Sequence, residues 1–236
     1  MNEITRNLQA VREKIWKTAC SVARKPEGIR LLAVSKTHPV ASLLEAIAAG
    51  QRDFGENYVQ EGVGKIHVLR ERLPEVPLVW HFIGPLQGNK TRLVAEHFDW
   101  VHTIDRIRIA ERLAAQRPAS LPPLQVCVQV NISGEATKSG VPPTEVPELC
   151  RAVAELPRLA LRGLMSIPAP ETDFERQRPA LRALRQIFLA LRDEGMALDT
   201  LSMGMTHDLE AAILEGSTLV RVGTAIFGTR ETRTST

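Results

Sequence analysis

Apolar residues follow two alternating patterns along most of this chain. From residue 29 onward, a short continuous apolar run is followed by a stretch in which apolar residues recur three or four positions apart, and the pair then repeats. Continuous runs indicate strands buried on both faces, and the wider spacing indicates amphipathic helices. The pattern therefore predicts a parallel sheet covered by helices.

Eight strand–helix units can be counted in this pattern. The predicted strands are Ile29–Ser35, Arg52–Gly55, Val79–Ile83, Trp100–Thr103, Leu124–Val130, Leu161–Met165, Thr200–Met203 and Leu219–Val222. The predicted helices are Val40–Ala49, Tyr58–Leu73, Lys90–His97, Arg106–Gln116, Thr144–Leu156, Phe174–Asp193 and Asp208–Glu215, with a helical turn after the last strand. Eight units in 236 residues favour an α/β fold of the (β/α)8 TIM barrel type. An open doubly wound sheet is disfavoured, because no Gly-x-Gly-x-x-Gly pattern follows an early strand.

The segment before the first strand predicts one extra helix. Its apolar positions, spaced three or four apart, are Ile4, Leu8, Val11, Ile15, Ala19 and Val22. Pro26 and Gly28 end it. We expect residues 1–25 to pack on the barrel, within a single domain of residues 1–236. Binding of this helix to a membrane surface is disfavoured, because Glu3 and Glu13 interrupt its basic face.

Composition narrows the class of protein. A formal charge of +3 is too small to indicate a nucleic-acid partner, and no apolar run is long enough to cross a membrane. Cys20, Cys127 and Cys150 are odd in number and far apart, which argues against disulfides and a metal site. We therefore expect a cytoplasmic protein without a secretory signal. Cys127 lies in an apolar run and is interpreted as a small buried residue.

Glycine and hydroxyl residues follow the last two predicted strands. Met205–Asp208 follows the seventh and Gly223–Gly228 the eighth, and each begins a helix. Unpaired N–H groups at helix starts attract anions, and barrel enzymes commonly bind phosphate at these two loops. Gly223 allows close approach and Thr224 adds a hydroxyl. Thr206 either donates to the same phosphate or caps the next helix.

Lys36 stands at the end of the first strand, which adjoins the eighth once the barrel closes. Of the seven lysines in the chain, it alone ends an apolar run. An amine that forms an imine must be neutral for part of the time, so its pKa of about 10.4 has to fall through desolvation or a nearby cation. The position of Lys36 beside a candidate phosphate site predicts that the ligand is a phosphorylated aldehyde, bound to the lysine as a Schiff base. The alternative is a solvated or salt-bridged lysine.

Arg221 alternates with two valines in the last strand, which points its side chain into the barrel. Burial of an arginine requires partners, and a ligand ring nitrogen and a barrel carboxylate are both open possibilities. Asn57 follows the second strand and either contacts a ligand hydroxyl or caps the next helix. His81, alone in the third strand, is interpreted as a satisfied core residue rather than a catalyst.

Three more polar residues lie near the candidate site. Asp208 and Glu210 occupy the first turn of a predicted helix, where carboxylates suit the helix dipole, and both are interpreted as structural. Lys138 lies in a loop bracketed by Gly134 and Gly140. This lysine either approaches the pocket or is solvated.

Several motifs in a fixed order carry a family resemblance over essentially the whole chain. These motifs are Ala33–Lys36, Phe54–Asn57, Trp80–Lys90, Val130–Ser133, Gly163–Met165, Ser202–Met205 and Arg221–Gly228. Together they resemble the YggS/PROSC family of pyridoxal 5′-phosphate homeostasis proteins. That family is itself similar to the barrel domain of bacterial alanine racemase.

The resemblance implies a site for pyridoxal 5′-phosphate and no metal. The implied residues are Lys36 at the aldehyde, Thr206, Gly223 and Thr224 at the phosphate, Arg221 near the pyridine nitrogen, and Met203 and Asn57 at the ring. It also implies a monomer that serves intracellular vitamin B6 homeostasis, with apo enzymes that use the cofactor as recipients. The family usually has serine where this chain has Thr206, and His207 is also less usual, with no role assigned.

Pyridoxal phosphate stabilises carbanions through a protonated ring nitrogen, and a neighbouring arginine disfavours that proton. A two-base racemase also needs a tyrosine from a second domain, and the only tyrosine here is Tyr58. We therefore expect a cofactor carrier without robust catalytic activity. One alternative is a racemase or related enzyme that uses Lys36 with Tyr58 or His81. Another is a Schiff-base aldolase acting on a sugar phosphate.

Overall fold

Eight parallel strands close into a barrel in the computed structural model, which describes residues 2–135 and 139–228. The strands are β1 Arg30–Val34, β2 Asp53–Glu56, β3 Val79–Phe82, β4 Trp100–Ile104, β5 Leu124–Gln129, β6 Leu159–Met165, β7 Thr200–Ser202 and β8 Leu219–Val222. Each pairs with the next in chain order, and β8 pairs with β1. The predicted (β/α)8 barrel is confirmed. Lys138 lies outside the described residues.

Helices cover the barrel from outside. They are α1 Glu3–Ser21, α2 Val40–Ala48, α3 Val59–Arg72, α4 Thr91–His97, α5 Ile107–Gln116, α6 Val146–Ala154, α7 Phe174–Asp193, α8 Leu209–Leu214 and α9 Thr224–Phe227. Most bounds agree with the predicted ones to within one residue. Differences of two residues occur at α6 and β6. Helix α6 ends at Ala154 rather than at Leu156 and begins at Val146 rather than at Thr144, because Pro143–Glu145 form a separate 3-10 turn, and β6 begins at Leu159 rather than at Leu161.

The first helix packs across the barrel beside α8 and α9. Asn2 caps it by accepting a hydrogen bond from the Thr5 N–H at 2.8 Å. The Asn7 amide donates to the Ile226 carbonyl of α9 at 3.0 Å. Glu210 of α8 forms an ion pair with Lys14 of α1 at 2.8 Å, which agrees with its structural interpretation, although the pair itself was not predicted. One helix therefore fixes both helices that follow the last two strands.

Buried apolar side chains fill most of the space between the sheet and the helices. Cys127 of β5 is fully buried, and burial raises the pKa of its thiol, so it is the small buried residue that the sequence predicted. The barrel interior also contains polar side chains, from His81, His102, Ser202 and Arg221. Within residues 2–135 and 139–228, every helix is too short or too polar to span a bilayer.

Candidate functional site

Lys36, Gly223 and Thr224 lie at the same end of the barrel. Lys36 is the second residue after β1 and is partly buried. A Cβ atom on Gly223 would lie 3.1 Å from the Val34 carbonyl oxygen and 3.3 Å from the Val34 Cβ. Glycine at this position therefore lets the end of β8 pack tightly on the end of β1. The structure brings the candidate lysine and one candidate phosphate loop together, as the order of strands predicted.

The loop after β8 leads directly into α9. Gly223 is the N-cap residue, and its carbonyl accepts hydrogen bonds from the N–H groups of Ile226 at 2.8 Å and Phe227 at 2.9 Å. The N–H groups of the first helical turn have no acceptor within a helix. Thr224, the first residue of α9, is exposed and adds its hydroxyl to these donors.

The loop after β7 carries Met203 and Thr206. Met203 is fully buried, and its carbonyl accepts a hydrogen bond from the Ser217 hydroxyl at 2.7 Å. Thr206 lies in a turn and is partly exposed. Its interpretation as the helix cap is wrong, because the N-cap residue of α8 is Asp208. The Asp208 carboxylate accepts a hydrogen bond from the Met205 N–H at 2.6 Å, so it is structural, as predicted.

Asn57 follows β2 and has a buried side-chain oxygen, Oδ1, without a hydrogen-bond partner among the described residues. Its interpretation as a helix cap is wrong, because the N-cap residue of α3 is Tyr58. A Cβ atom on Gly84 would lie 2.1 Å from the Asn57 carbonyl oxygen, so only glycine lets the two loops approach this closely. Leaving a buried acceptor unpaired costs about 1–3 kcal/mol, which favours a ligand donor at this position.

Arg221 points into the barrel and is 4% exposed. Its guanidinium donates to the Ser202 carbonyl at 2.6 Å, to the Ser202 hydroxyl at 2.7 Å and to the Ser166 carbonyl at 2.9 Å. These acceptors are uncharged, so a barrel carboxylate is not its hydrogen-bond partner. Burial lowers the pKa of Arg221 to about 10, which leaves it a cation at neutral pH.

A chain of hydrogen bonds crosses the barrel interior from Arg221. The Ser202 hydroxyl lies 2.8 Å from His102 Nδ1, His102 Nε2 lies 2.9 Å from His81 Nδ1, and His81 Nε2 lies 3.1 Å from Asp53 Oδ1. Burial lowers the pKa of both histidines, that of His102 well below its usual value, so both imidazoles are neutral.

The two ends of this series of hydrogen bonds determine which group donates in each bond. Arg221 can only donate, and an ionised Asp53 can only accept. Neutral His81 and His102 therefore each carry their proton on Nε2, and the Ser202 hydroxyl donates to His102. Both ring nitrogens of His81 are used in this way, so it is the satisfied core residue that the sequence predicted. Sequence reasoning missed His102 and Ser202, although a polar residue inside an apolar strand run was a usable signal.

A second polar cluster joins α3 to the segment around the candidate lysine. The ammonium group of Lys65 donates to the Ser35 carbonyl at 2.7 Å, to Glu56 at 2.8 Å and to Glu61 at 2.6 Å. The Ser35 hydroxyl donates to Glu56, and the Thr37 N–H donates to Glu61, both at 2.6 Å. Sequence reasoning missed this cluster too. The Glu61–Lys65 spacing of four helical residues was its only local sign.

The described residues contain no group of His, Cys, Asp and Glu side chains arranged to hold a metal ion. Tyr58 is 55% exposed. The polar groups gathered at this end of the barrel are thus a lysine amine, hydroxyl and backbone donors, a buried guanidinium and an unpaired amide oxygen. This set suits a ligand that combines an aldehyde, an anionic group and a heteroaromatic ring.

Known proteins resemble the chain over nearly its full length. The family model for the alanine racemase N-terminal domain matches residues 2–231. The pyridoxal phosphate homeostasis protein of Escherichia coli strain K12 is 60% identical over 231 residues, which cover 98% of both chains. That of Pseudomonas aeruginosa is 55% identical over 98% of this chain and 97% of its own.

Solved structures of other proteins share the barrel fold of this chain. PipY of Synechococcus elongatus, solved with pyridoxal phosphate bound, superposes with a TM-score of 0.77 at 37% identity, over 91% of this chain and 100% of its own. The alanine racemase of Corynebacterium glutamicum superposes with a TM-score of 0.69 over 99% of this chain and 63% of its own. Its identity is 16%, so it supports the fold alone.

Proposed function

Because this chain belongs to the family of pyridoxal phosphate homeostasis proteins, we propose that it binds pyridoxal 5′-phosphate at the carboxyl end of its barrel and serves vitamin B6 homeostasis. The observation that carries the proposal is the convergence of Lys36, the Gly223–Thr224 loop and the buried Arg221 at this one end. Pyridoxal phosphate supplies a reactive aldehyde and an electron-accepting ring when it is bound.

Each candidate residue has a distinct task in this proposal. Lys36 forms the covalent bond: its neutral amine adds to the aldehyde carbon, and the carbonyl oxygen leaves with the two amine protons as water, so that C=N replaces C=O. The residues that hold the phosphate are Thr206, Gly223 and Thr224. Met203 and Asn57 lie beside the ring, and the unpaired Asn57 oxygen supports a polar contact there.

Arg221 disfavours carbanion chemistry in general, although racemases tolerate an arginine there, so the choice of a carrier over a racemase rests on the second base. Arg221 remains a cation without a carboxylate partner in hydrogen-bond contact, so a proton on a neighbouring ring nitrogen is disfavoured. Without that proton the ring is a weak electron sink. His81 has no free ring nitrogen to act as the second base, and Tyr58 is 55% exposed.

We also propose a cellular location, an oligomeric state and recipients for the carrier. We place it in the cytoplasm as a monomer that passes its cofactor to apo enzymes. Its cysteines are free thiols, and two of them, Cys127 and Cys150, are buried, which suits a reducing compartment. Light scattering on the pure protein tests the monomer, and transfer of bound cofactor to an apo enzyme, followed by that enzyme's activity, tests delivery.

The experiment that tests cofactor binding uses the pure protein with pyridoxal phosphate. We expect the visible absorption band of a lysine Schiff base and, after borohydride reduction and peptide mass mapping, a pyridoxyl phosphate mass on Lys36. Lys36→Ala should fold and lose the adduct, while Lys25→Ala, which changes an exposed lysine, should keep it. An adduct on Lys138 in the Lys36→Ala protein would contradict the assignment.

The racemase alternative has its own readout. Loss of α-deuterium from labelled amino acids, catalysed by the pure protein and abolished by Lys36→Ala, would overturn the carrier proposal. We expect exchange no faster than with free pyridoxal phosphate.

A further inference from the structure

Both neighbours of Lys36 in the chain are tied to α3. Ser35 accepts a hydrogen bond from the Lys65 ammonium through its carbonyl at 2.7 Å, and Thr37 donates its N–H to Glu61 at 2.6 Å. Lys65 and Glu61 are themselves paired at 2.6 Å. One lysine of α3 therefore reaches the backbone on each side of Lys36, directly on one side and through Glu61 on the other.

The backbone at Thr37 needs such a tether. Thr37 has a φ of 67°, in the left-handed region that β-branched residues rarely occupy. The conformation directs the chain away from β1 immediately after Lys36. Its hydrogen bond to Glu61 compensates part of the strain, so loss of that bond would free the segment to adopt other conformations.

Burying the charges around Lys65 costs hydration energy, so stabilisation of α3 alone does not account for them. The Lys65 side chain is 7% exposed and that of Glu56 is fully buried. A buried ion pair contributes little more to stability than a well-packed apolar pair of the same volume, because both charges lose their hydration. What an apolar pair could not do is bind the Ser35 carbonyl and hold Glu61 next to the Thr37 N–H.

A second contact restrains the same segment from the other side. The ring of His38 stacks on Phe227 of α9, with 4.9 Å between ring centroids. Residues 35–38 are therefore held between α3 and the helix that begins at the Gly223–Thr224 loop. The distance between the lysine and that loop depends on both contacts.

We propose that Lys65 is a positioning residue for Lys36, which it holds in register with the Gly223–Thr224 loop by tying the flanking backbone to α3. The inference rests on the proposed function for the identity of the ligand. Lys65 does not itself react with an aldehyde, because its three N–H donors are all used by oxygen acceptors and its nitrogen has no lone pair available.

The test combines two readouts on variants of the full chain. The double variant Lys65→Met with Glu56→Gln removes the cation and also the buried charge that it compensates, which favours folding. Glu61→Ala is milder, since it removes the tether to Thr37 and one of the two carboxylates of Lys65 at a partly exposed position, and leaves the buried Lys65–Glu56 pair in place. The matched control is Lys17→Met, which breaks an exposed pair of the same spacing with Glu13 on α1.

The first readout is hydrogen exchange of the Thr37 amide, measured by NMR without pyridoxal phosphate. The second is the rate at which added pyridoxal phosphate becomes attached to Lys36, captured by borohydride and mapped by mass. We expect both variants to exchange Thr37 faster and to attach the ligand about tenfold more slowly, the effect of about 1.4 kcal/mol on a rate. Lys17→Met should match the wild type, and Lys65→Arg should recover part of the rate.

Wild-type values for Thr37 exchange and attachment in a folded Lys65 or Glu61 variant would overturn the inference. Should the double variant fail to fold, Glu61→Ala decides by the same two readouts. A wild-type protein that gains no adduct on Lys36 would refute the proposed function, and Thr37 exchange would then judge the tether by itself.

Discussion

Two buried cations, Lys65 and Arg221, flank the carboxyl end of this barrel, and their surroundings differ. The Lys65 ammonium contacts two carboxylates, those of Glu56 and Glu61. The Arg221 guanidinium donates to two carbonyls and a hydroxyl and has no carboxylate within hydrogen-bond distance among the described residues. The Lys65 charge is compensated by carboxylates in direct contact, whereas the hydrogen-bond acceptors of Arg221 are neutral and the Asp208 carboxylate acts on it only from beyond hydrogen-bond distance.

The difference indicates what each cation does. A compensated charge exerts little field beyond its own cluster, so Lys65 acts through geometry on the backbone that it binds. A charge without a carboxylate in hydrogen-bond contact is costly to bury, and we interpret that cost at Arg221 as serving a ligand. Ser202, a neutral partner of Arg221, is hydrogen-bonded in turn to His102, and burial keeps the His102 ring uncharged. Arg221 therefore remains a cation next to the candidate site, with only neutral groups in hydrogen-bond contact.

Removing Lys65 should produce the largest loss of stability. Lys65→Met leaves the fully buried Glu56 without its counter-ion, and breaking a buried pair in this way costs about 3–5 kcal/mol. Urea unfolding followed by circular dichroism measures the loss. Adding Glu56→Gln should restore part of it, because the uncompensated charge is then gone. Burial raises the pKa of Glu56, so a loss below about 1 kcal/mol would mean that Glu56 is not left as a buried, unpaired charge when Lys65 is removed.

Arg221→Met should destabilise the protein less, although the residue is equally buried. No buried carboxylate is left unpaired in this variant, and the three hydrogen bonds to Ser202 and Ser166, each about 1.5–3 kcal/mol, are lost together with the cost of burying the guanidinium, which offsets part of the loss. The same urea experiment provides the measurement. A loss as large as that of Lys65→Met would show that the two cations are not held differently.

The sequence predicted most of the fold because its signals are local. Continuous apolar strands such as Leu219–Val222 and the helical stripe of Phe174–Asp193 were located to the residue. Lys36 and Gly223 were grouped correctly because closure of the barrel places the first strand beside the last. The inward direction of Arg221 followed from alternation with its neighbours.

The partners of these residues were not predictable, because they join distant parts of the chain. Ser202 lies 100 residues from His102, and Lys65 lies 30 residues from Ser35. Neither spacing leaves a periodic signal in the sequence. The cap alternatives for Asn57 and Thr206 failed for a related reason. Each residue stands one or two positions before the true N-cap, and sequence spacing does not fix a helix start that closely.

The neutral histidines should make stability depend on pH on the Arg221 side of the barrel. Burial lowers the pKa of His102 and of His81, so in acid the unfolded chain binds protons that the folded chain does not. Their contribution is complete above the unfolded pKa of about 6.5 and declines below it, by up to about 1.4 kcal/mol per pH unit for each histidine. Urea unfolding at neutral and mildly acidic pH measures the decline.

Replacing one histidine should weaken this dependence. In His102→Gln we expect the loss between neutral and mildly acidic pH to shrink by about 1 kcal/mol. His207→Gln, which changes an exposed histidine, is the control and should keep the wild-type decline. An unchanged decline in His102→Gln would mean that His102 takes up a proton while the protein is folded. The series of neutral hydrogen-bonding groups that begins at Arg221 would then be wrong.

The smallest effect should come from a cation that is paired but not buried. Lys14 of α1 lies 2.8 Å from Glu210 of α8, closer to its partner than Arg221 is to the Ser166 carbonyl, yet both side chains are about half exposed. Water and salt screen such a pair, so Lys14→Met should cost about 0–0.5 kcal/mol in urea unfolding. A loss approaching that of Lys65→Met would show that pairing alone, without burial, sets how strongly a cation stabilises this barrel.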